Sequence, residues 1–164
     1  MKLMKPIFLL AAAAALSACT LSPKAQHPAH HSEHKQAMNT THTLVSKYSF
    51  DETVNRLEQA IKSKGMKIFT VIDHQAAAQQ NGLQMQPAKV IVFGTPKAGT
   101  PLMVKDPEFA LQLPLRVLVT ETDGAVKVVY NDTRALIEGS KIHYQDVENT
   151  LANAEKLIAK TVTE

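Results

Sequence analysis

The first 41 residues differ in composition from the rest of the chain and limit how much of it can form a folded core. Lys2 and Lys5 precede an uncharged run, residues 6–18, that is rich in Leu and Ala. This is the layout of a secretory signal peptide. The run is too short and too rich in alanine for a bilayer-spanning helix, which needs about 20 apolar residues. We therefore expect residues 1–18 to be cleaved during export.

The end of this run carries the motif that sets the cleavage point. Residues 16–19, Leu-Ser-Ala-Cys, resemble the bacterial lipobox, in which small residues admit the signal peptidase and the cysteine thiol accepts diacylglycerol. Cys19 is the single cysteine of the chain, so it leaves no partner for a disulfide. The motif predicts a lipid anchor at Cys19. Resemblance to the sorting rules of diderm bacteria makes Thr20 favour the outer membrane, facing the periplasm. The alternative is an ordinary signal peptide with an incidental cysteine.

Residues 19–41 lack apolar periodicity and consist mainly of Ser, Pro, Ala, Gln, Thr and His. A segment of this composition cannot bury enough surface to fold alone, so we predict a flexible tether behind the lipidated cysteine. Its histidines are potential ligands for Cu(II), Zn(II) or Ni(II), namely His27, His30, His31 and His34. A metal-scavenging tether is one functional hypothesis, and a solvated polar linker is the favoured alternative.

The remaining residues, 42–164, suffice for one domain with an ordinary core. This part carries 14 basic and 14 acidic residues, so the formal charge of +3 comes from the N-terminal segment. The chain has no Trp, five Phe and three Tyr. Proteins that bind nucleic acid need a basic surface with stacking aromatic side chains, so we expect no nucleic-acid partner.

Strand patterns in this domain predict an α+β fold with a mainly antiparallel five-stranded sheet. Segments rich in β-branched and aromatic residues cover residues 42–48, 66–72, 88–93, 115–121 and 125–130. Asp123-Gly124 fits a type I′ turn between the last two of these segments. With helices between them, the predicted order is β-α-β-(α)-β-α-β-β-α.

Capping residues mark where the helices begin. Ser49 and Glu52 form an S-x-x-E capping box, and Gly65 is placed to end the helix that follows. Asp73 can cap a short helix over residues 74–80. These helices would pack one apolar face on the sheet.

Two further helix starts are predicted after the third strand. Thr100 precedes Pro101, and Asp106 precedes Pro107, which places a capping side chain ahead of a proline in both cases. A last helix, over about residues 144–161, carries an apolar stripe at helical spacing.

A series of short motifs extends from about Ser46 to Leu136. They lie at residues 49–53 (SFDET), 65–69 (GMKIF), 72–74 (IDH), 78, 82–83 (GL), 87, 93–96 (FGTP), 99–103 (GTPLM), 113–116 (LPLR) and 130–132 (YND). Together these motifs resemble the domain-of-unknown-function 302 (DUF302) family. The resemblance implies a compact α+β fold with a mainly antiparallel sheet backed by helices, self-association into a homodimer, and no established reaction. Thr95 departs from the family, which commonly has Asn there, so no polar role is carried over to its side chain.

The Gly/Pro-rich segment at residues 94–101 is the most unusual part of the domain. Its Gly-x4-Gly-Thr spacing lacks the lysine that a phosphate-binding loop needs directly after the second glycine, so nucleotide hydrolysis is rejected. Backbone N–H groups at a helix start near Thr100 favour anion binding as one alternative, beside a plain structural turn.

Other side chains have a structural interpretation beside a functional one. His74, directly after Asp73, fits a general base or a ligand, but a lone histidine there is more often a cap-region or core residue. Arg116 is expected to pair with Asp73 or Asp132 for structure, rather than to hold a substrate. The methionines at 66, 85 and 103 are soft copper ligands in principle, and core filling is the default for them.

No hydrolase, zincin, paired-cysteine or dinucleotide motif is present. The leading hypothesis is a membrane-anchored, non-catalytic module that binds a small ligand, a metal ion or a partner protein in a cleft beside residues 94–103. The candidate ligand-binding residues are His74, Gly94, Thr95, Pro96, Gly99, Thr100, Met103 and Arg116. One alternative is an enzyme or redox accessory that uses His74 and Arg116 in that cleft, and the other is the metal-scavenging tether. No cofactor is predicted for the domain.

Overall fold

The computed structural model of the protein describes residues 40–164. A five-stranded sheet lies at its centre, formed by β1 (Thr41–Val45), β2 (Lys67–Asp73), β3 (Ala88–Gly94), β4 (Leu115–Thr122) and β5 (Ala125–Asn131). The strands lie in the order β1-β5-β4-β3-β2, and every neighbouring pair is antiparallel. The predicted α+β class with a five-stranded, mainly antiparallel sheet is confirmed.

Helices connect or follow most of these strands. They are α1 (Phe50–Ser63), α2 (His74–Gln80), α3 (Pro96–Lys105), a 3-10 helix (Pro107–Gln112), α4 (Thr133–Ile137), α5 (Tyr144–Val147) and α6 (Leu151–Thr163). The predicted element order is correct as far as β5. The short helix α4, directly after β5, was not predicted from the sequence.

Helices α1 and α6 pack on one face of the sheet. Strand side chains alternate between the two faces, so each strand places every second residue against these helices. The resulting core contains Val54, Leu57 and Ile61 from α1, Ile91 and Phe93 from β3, Val117 and Val119 from β4, Val126, Val128 and Tyr130 from β5, and Ala154, Ile158 and Val162 from α6. Full burial of one such aliphatic or aromatic side chain contributes about 1.5 to 3 kcal/mol.

A second apolar cluster holds the segments that leave the sheet. It consists of Leu102, Phe109, Ile142, Val147 and Leu151. These residues belong to α3, the 3-10 helix, the loop before α5, α5 itself and the start of α6. The cluster therefore fixes α3 relative to α6.

Most of the predicted caps and turns are present. The Ser49 hydroxyl accepts from the Glu52 N–H at 3.4 Å, but the Glu52 carboxylate binds Arg56 instead of returning to Ser49, so only half of the capping box forms. Asp73 accepts from the Ala76 N–H at 2.9 Å and caps α2 as predicted. Asp123 and Gly124 have φ angles of 55° and 72°, as a type I′ turn requires.

The start of α3 differs from the prediction. The helix begins at Pro96 with Thr95 as its N-cap residue, and it runs through Pro101, so the expected start after Thr100 is wrong. A polar residue followed by proline occurs at both places, and local sequence does not choose between them. Pro101 has no N–H to donate to the preceding turn, and the helix continues because the second apolar cluster buries Leu102.

The predicted C-terminal helix is divided in two. α5 ends at Val147, Thr150 leaves the helical region with φ −126° and ψ −85°, and α6 begins at Leu151. Asn149 and Thr150 are poor helix formers. The break lets the fully buried Val147 pack in the second cluster while α6 packs on the sheet.

Replacing Ile91 by Ala tests whether the sheet face under α1 and α6 makes a large contribution to the free energy of unfolding. Ile91 is 0% exposed, so the change leaves a cavity and should lower the free energy of unfolding by about 2 to 5 kcal/mol. Ile72→Ala is the matched control, because Ile72 lies on the adjacent strand and is 42% exposed. The Ile72→Ala change should lower the free energy of unfolding by less than about 1 kcal/mol. Denaturant unfolding followed by circular dichroism measures both, and equal losses would contradict this assignment of the core.

Candidate functional site

A cleft of about 850 Å³ lies between α3 and α6, beside the end of β3. Its apolar lining comes from four parts of the fold. These are Met66 just before β2 and Phe69 in β2; Met103 in α3; Leu113 and Pro114 before β4 and Leu115 at its start; and Leu151, Ala154 and Leu157 in α6. Phe69 is 46% exposed although it is aromatic. The cleft is therefore an open apolar surface bounded by two helices.

Two glycines lie in the wall of this cleft. A Cβ atom at Gly99 would lie 3.2 Å from Leu113 Cδ1, a close contact that would require the Leu113 side chain to shift by a few tenths of an ångström. A Cβ atom at Gly94 would lie 3.8 Å from the ring of Phe69 and from Pro114, which is ordinary contact distance. Gly99 therefore lets α3 lie close to Leu113 in the wall of the cleft.

The charged residues around the cleft are all of one sign. Its described lining includes Lys64, Lys97, Lys156 and Lys160 and no aspartate or glutamate. All four lysines are exposed. Lys160 lies 3.4 Å from the Glu164 carboxylate, and within residues 40–164 the other three have no carboxylate partner within 4.0 Å. We call these four residues the lysine edge, and it makes the opening of the cleft positive.

The cleft brings together most of the residues that the sequence indicated. Those that line it are Gly94, Thr95, Pro96, Gly99, Thr100 and Met103. His74 and Arg116 do not line it. Met66 and Met103 both contribute to its apolar lining, and Met85 does not. Ligand binding by these residues remains a prediction.

The structure does not assemble Asp73, His74 and Arg116 into one cluster. Asp73 pairs with Lys89 of β3, and Arg116 pairs with Val92 three residues further along the same strand. Asp73 also lies 3.6 Å from the Lys89 ammonium group. Arg116 is exposed and has no carboxylate within 4.0 Å in the described part of the chain, so its predicted pairing with Asp73 or Asp132 is not formed. The enzyme alternative depended on that cluster.

The expected anion site at a helix start near Thr100 also changes. Thr100 lies inside α3, one turn after its start. At the actual start, Pro96 has no N–H, and the amides of Ala98 and Gly99 bond to the Thr95 carbonyl oxygen at 2.9 and 3.0 Å. The basis for anion binding by free backbone N–H groups at Thr100 is therefore lost.

A separate polar cluster lies on the other side of α6. His42 Nε2 is 2.8 Å from Asp132 Oδ2 and 3.8 Å from Glu155 Oε2. The ligand atoms of these three residues all lie within 4.8 Å of one another. The sequence did not indicate the cluster, because its members are far apart in the chain. Asp132 was considered only as part of a family motif and as a partner of Arg116. We call it the His42 cluster.

The environment of the His42 cluster favours the ionised form of Asp132. Burial alone raises the pKa of the Asp132 carboxyl, but hydrogen bonds from the Ala135 N–H and from His42 outweigh it, so the pKa lies below its usual value. The pKa of the Tyr130 hydroxyl is raised, mainly by burial and to a smaller extent by the nearby negative charge of Glu155. The negative potential at this site therefore comes from Asp132 and Glu155 together.

The metal-binding hypothesis for the tether falls outside the described residues. His27, His30, His31 and His34 precede residue 40, as does the predicted lipidation site Cys19. Both remain predictions. Among residues 40–164, the His42 cluster is the group of histidine and carboxylate ligands that converges closely enough to hold a metal ion.

Comparison with known proteins agrees with the fold. A crystal structure of an uncharacterized conserved DUF302 protein from Bacillus stearothermophilus matches with a TM-score of 0.65 and 18% sequence identity. The match covers 76% of this chain and 96% of that one. The structure therefore has the architecture seen in that protein.

The family model described as "Domain of unknown function DUF302" matches residues 42–161. The chain belongs to the DUF302 family, as its motifs indicated.

Curated relatives share only part of their length with this chain. Over 86 residues it is 43% identical to proteins named "Fluoride-specific ion channel FluC 1" from Brucella suis and Brucella abortus. That segment is 52% of this chain and 34% and 32% of the two channels. The chain thus spans about a third of these relatives. Within residues 40–164, no helix has the length and apolar character needed to cross a membrane.

Proposed function

We propose that this protein is an envelope lipoprotein whose DUF302 domain binds a small amphipathic anion in the cleft between α3 and α6. The observation that carries the proposal is the combination of an apolar lining with an edge of four lysines and no acidic residue. An apolar chain or ring would lie along the lining, and its negative group would lie at the lysine edge.

The size of the cleft supports a small-molecule ligand. Ligand pockets usually enclose about 300 to 1,000 Å³ and are lined mainly by apolar side chains with a few polar groups. This cleft, at about 850 Å³, lies within that range. Each methylene buried there would contribute about 0.8 kcal/mol, so several methylenes supply much of the free energy of a micromolar complex.

The lysine edge supports selectivity for charge. Exposed lysines interact with an anion through solvent, so each contributes little alone, and four of one sign act together. A cationic amphiphile of the same length would gain the same apolar burial and meet repulsion at the edge. The difference between the binding free energies of the anionic and the cationic amphiphile measures the electrostatic part of binding.

The predicted location at a membrane supports an amphipathic ligand. A domain that Cys19 holds at a membrane would meet amphipathic molecules at high local concentration. Two or three acyl chains on one residue suffice for stable anchoring. The proposal thus joins the lipobox prediction to the chemistry of the cleft.

The cleft is tested by titrating the protein with laurate by calorimetry, below the micelle concentration. We expect laurate to bind with a micromolar dissociation constant and dodecylamine to bind at least about fivefold more weakly. Met103→Glu should weaken laurate binding at least about tenfold, because it places a carboxylate in the apolar lining. Val104→Glu is the matched control, since Val104 is the next residue of α3, is 77% exposed and does not line the cleft.

Two results would contradict this proposal. One is unchanged laurate binding in a folded Met103→Glu protein, as judged by circular dichroism. The other is displacement of laurate by sodium fluoride, which is included because the Brucella relatives are named as fluoride channels. Such displacement would indicate a site for small inorganic anions rather than for amphiphiles.

The anchor is tested by Cys19→Ser in a diderm bacterial host. The serine hydroxyl does not replace the thiol as acceptor of diacylglycerol, so the variant should lose incorporation of labelled palmitate and leave the outer-membrane fraction. Ser17→Ala is the matched control, because it keeps a small residue in the motif and should retain both properties. A Cys19→Ser protein that still incorporates palmitate would contradict the lipobox assignment.

A further inference from the structure

We propose that His42, Asp132 and Glu155 form a binding site for one divalent transition-metal ion, with Zn(II) as the representative ion. This site is independent of the proposed ligand cleft, because none of its three residues lines that cleft. It is also independent of the histidines in the predicted tether.

The three donors come from separate parts of the fold and point to one place. His42 lies in β1, Asp132 precedes α4, and Glu155 lies in α6. The His42 ring lies against the Tyr130 ring, with centroids 5.3 Å apart and planes tilted by 37°, which limits how the imidazole can turn. The folded structure has therefore already ordered the three ligands, and a metal ion would not need to order them.

Each carboxylate has one oxygen held by the backbone and the other directed at His42. Asp132 Oδ1 accepts from the Ala135 N–H at 2.9 Å, while Oδ2 lies 2.8 Å from His42 Nε2. Glu155 Oε1 accepts from the Thr133 N–H, and its Oε2 faces His42. Outer hydrogen bonds of this kind orient the ligands of protein metal sites.

The charges of the cluster favour a cation. Two carboxylate groups have oxygens within 4.8 Å of the same imidazole nitrogen and of each other, and side chains this close repel when both are ionised. Lys105 pairs with Asp146, and neither Arg116 nor any other arginine or lysine of the described chain lies within 4.0 Å of these carboxylates. His42 Nε2 lies within hydrogen-bond distance of Asp132, and this contact offsets part of the repulsion. A metal ion bound to Nε2 would replace that contact, and the neutral imidazole would carry its hydrogen on Nδ1.

The donor set and its exposure favour a zinc-like ion. One imidazole nitrogen and two carboxylate oxygens suit Zn(II) at bond lengths of about 2.0 to 2.2 Å, whereas Mg(II) and Ca(II) prefer oxygen ligands alone. In a tetrahedral site such ligands lie roughly 3.3 Å apart, between the two distances of 2.8 and 3.8 Å observed from Nε2. The His42 side chain is 43% exposed, so solvent can reach the fourth position.

The test uses the whole protein in detergent, with His27, His30, His31 and His34 replaced by Gln so that the tether contributes no imidazole. Zn(II) is titrated into it by calorimetry. We expect one equivalent to bind, and either His42→Gln or Glu155→Gln to weaken binding at least about tenfold. Gln at position 155 keeps an oxygen for the Thr133 N–H, which favours correct folding. Zn(II) should also raise the melting temperature of the parent more than that of the Glu155→Gln protein.

Two exposed residues serve as matched controls. His74→Gln removes a histidine at the start of α2, and Glu148→Gln removes a glutamate between α5 and α6, so neither should change Zn(II) affinity. Absence of Zn(II) binding in the parent would overturn the site. So would His42→Gln and Glu155→Gln proteins that bind Zn(II) with the same affinity as the parent. Loss of all binding when the tether histidines are replaced would assign metal binding to the tether instead.

Discussion

The packing of α6 on the sheet is the interaction on which both candidate sites depend. Ala154, Ile158 and Val162 recur every four residues and bury one stripe of the helix in the core that α1, β3, β4 and β5 also form. Successive residues of a helix are about 100° apart, so this buried stripe fixes the direction of every other side chain. Without it, neither the cleft nor the His42 cluster would have a defined wall.

The two other faces of α6 serve the two sites. Asn153, Lys156, Leu157 and Lys160 follow helical spacing and line the cleft. Glu155, one position after the buried Ala154, lies on the opposite side and completes the His42 cluster. The cleft also needs α3, which the second apolar cluster holds through Leu102 and Leu151. One amphipathic helix thus separates an apolar, positively edged cleft from a negatively charged polar cluster.

The sequence predicted the elements that local chemistry determines. Strand composition, the Asp73 cap and the Asp123-Gly124 turn depend on neighbours within a few residues. All were placed correctly, except that the first strand ends at Val45 and not at residue 48. The start of α3 was misplaced because Thr95-Pro96 and Thr100-Pro101 carry the same capping pattern, and tertiary burial of Leu102 decides between them. The break before α6 has the same origin, since it depends on where Val147 is buried. His42 and Asp132 are 90 residues apart, and only strand pairing brings them together.

The central claim is that amphipathic anions bind in the cleft between α3 and α6, and nuclear magnetic resonance of the backbone amides tests it most directly. Gly94 and Gly99 line the cleft, whereas Gly82 and Gly124 lie outside it and occupy turns with positive φ. Addition of laurate should shift the amide signals of Gly94 and Gly99 in a saturable manner and leave those of Gly82 and Gly124 unchanged. Equal shifts at all four glycines, or none at Gly94 and Gly99, would contradict the account.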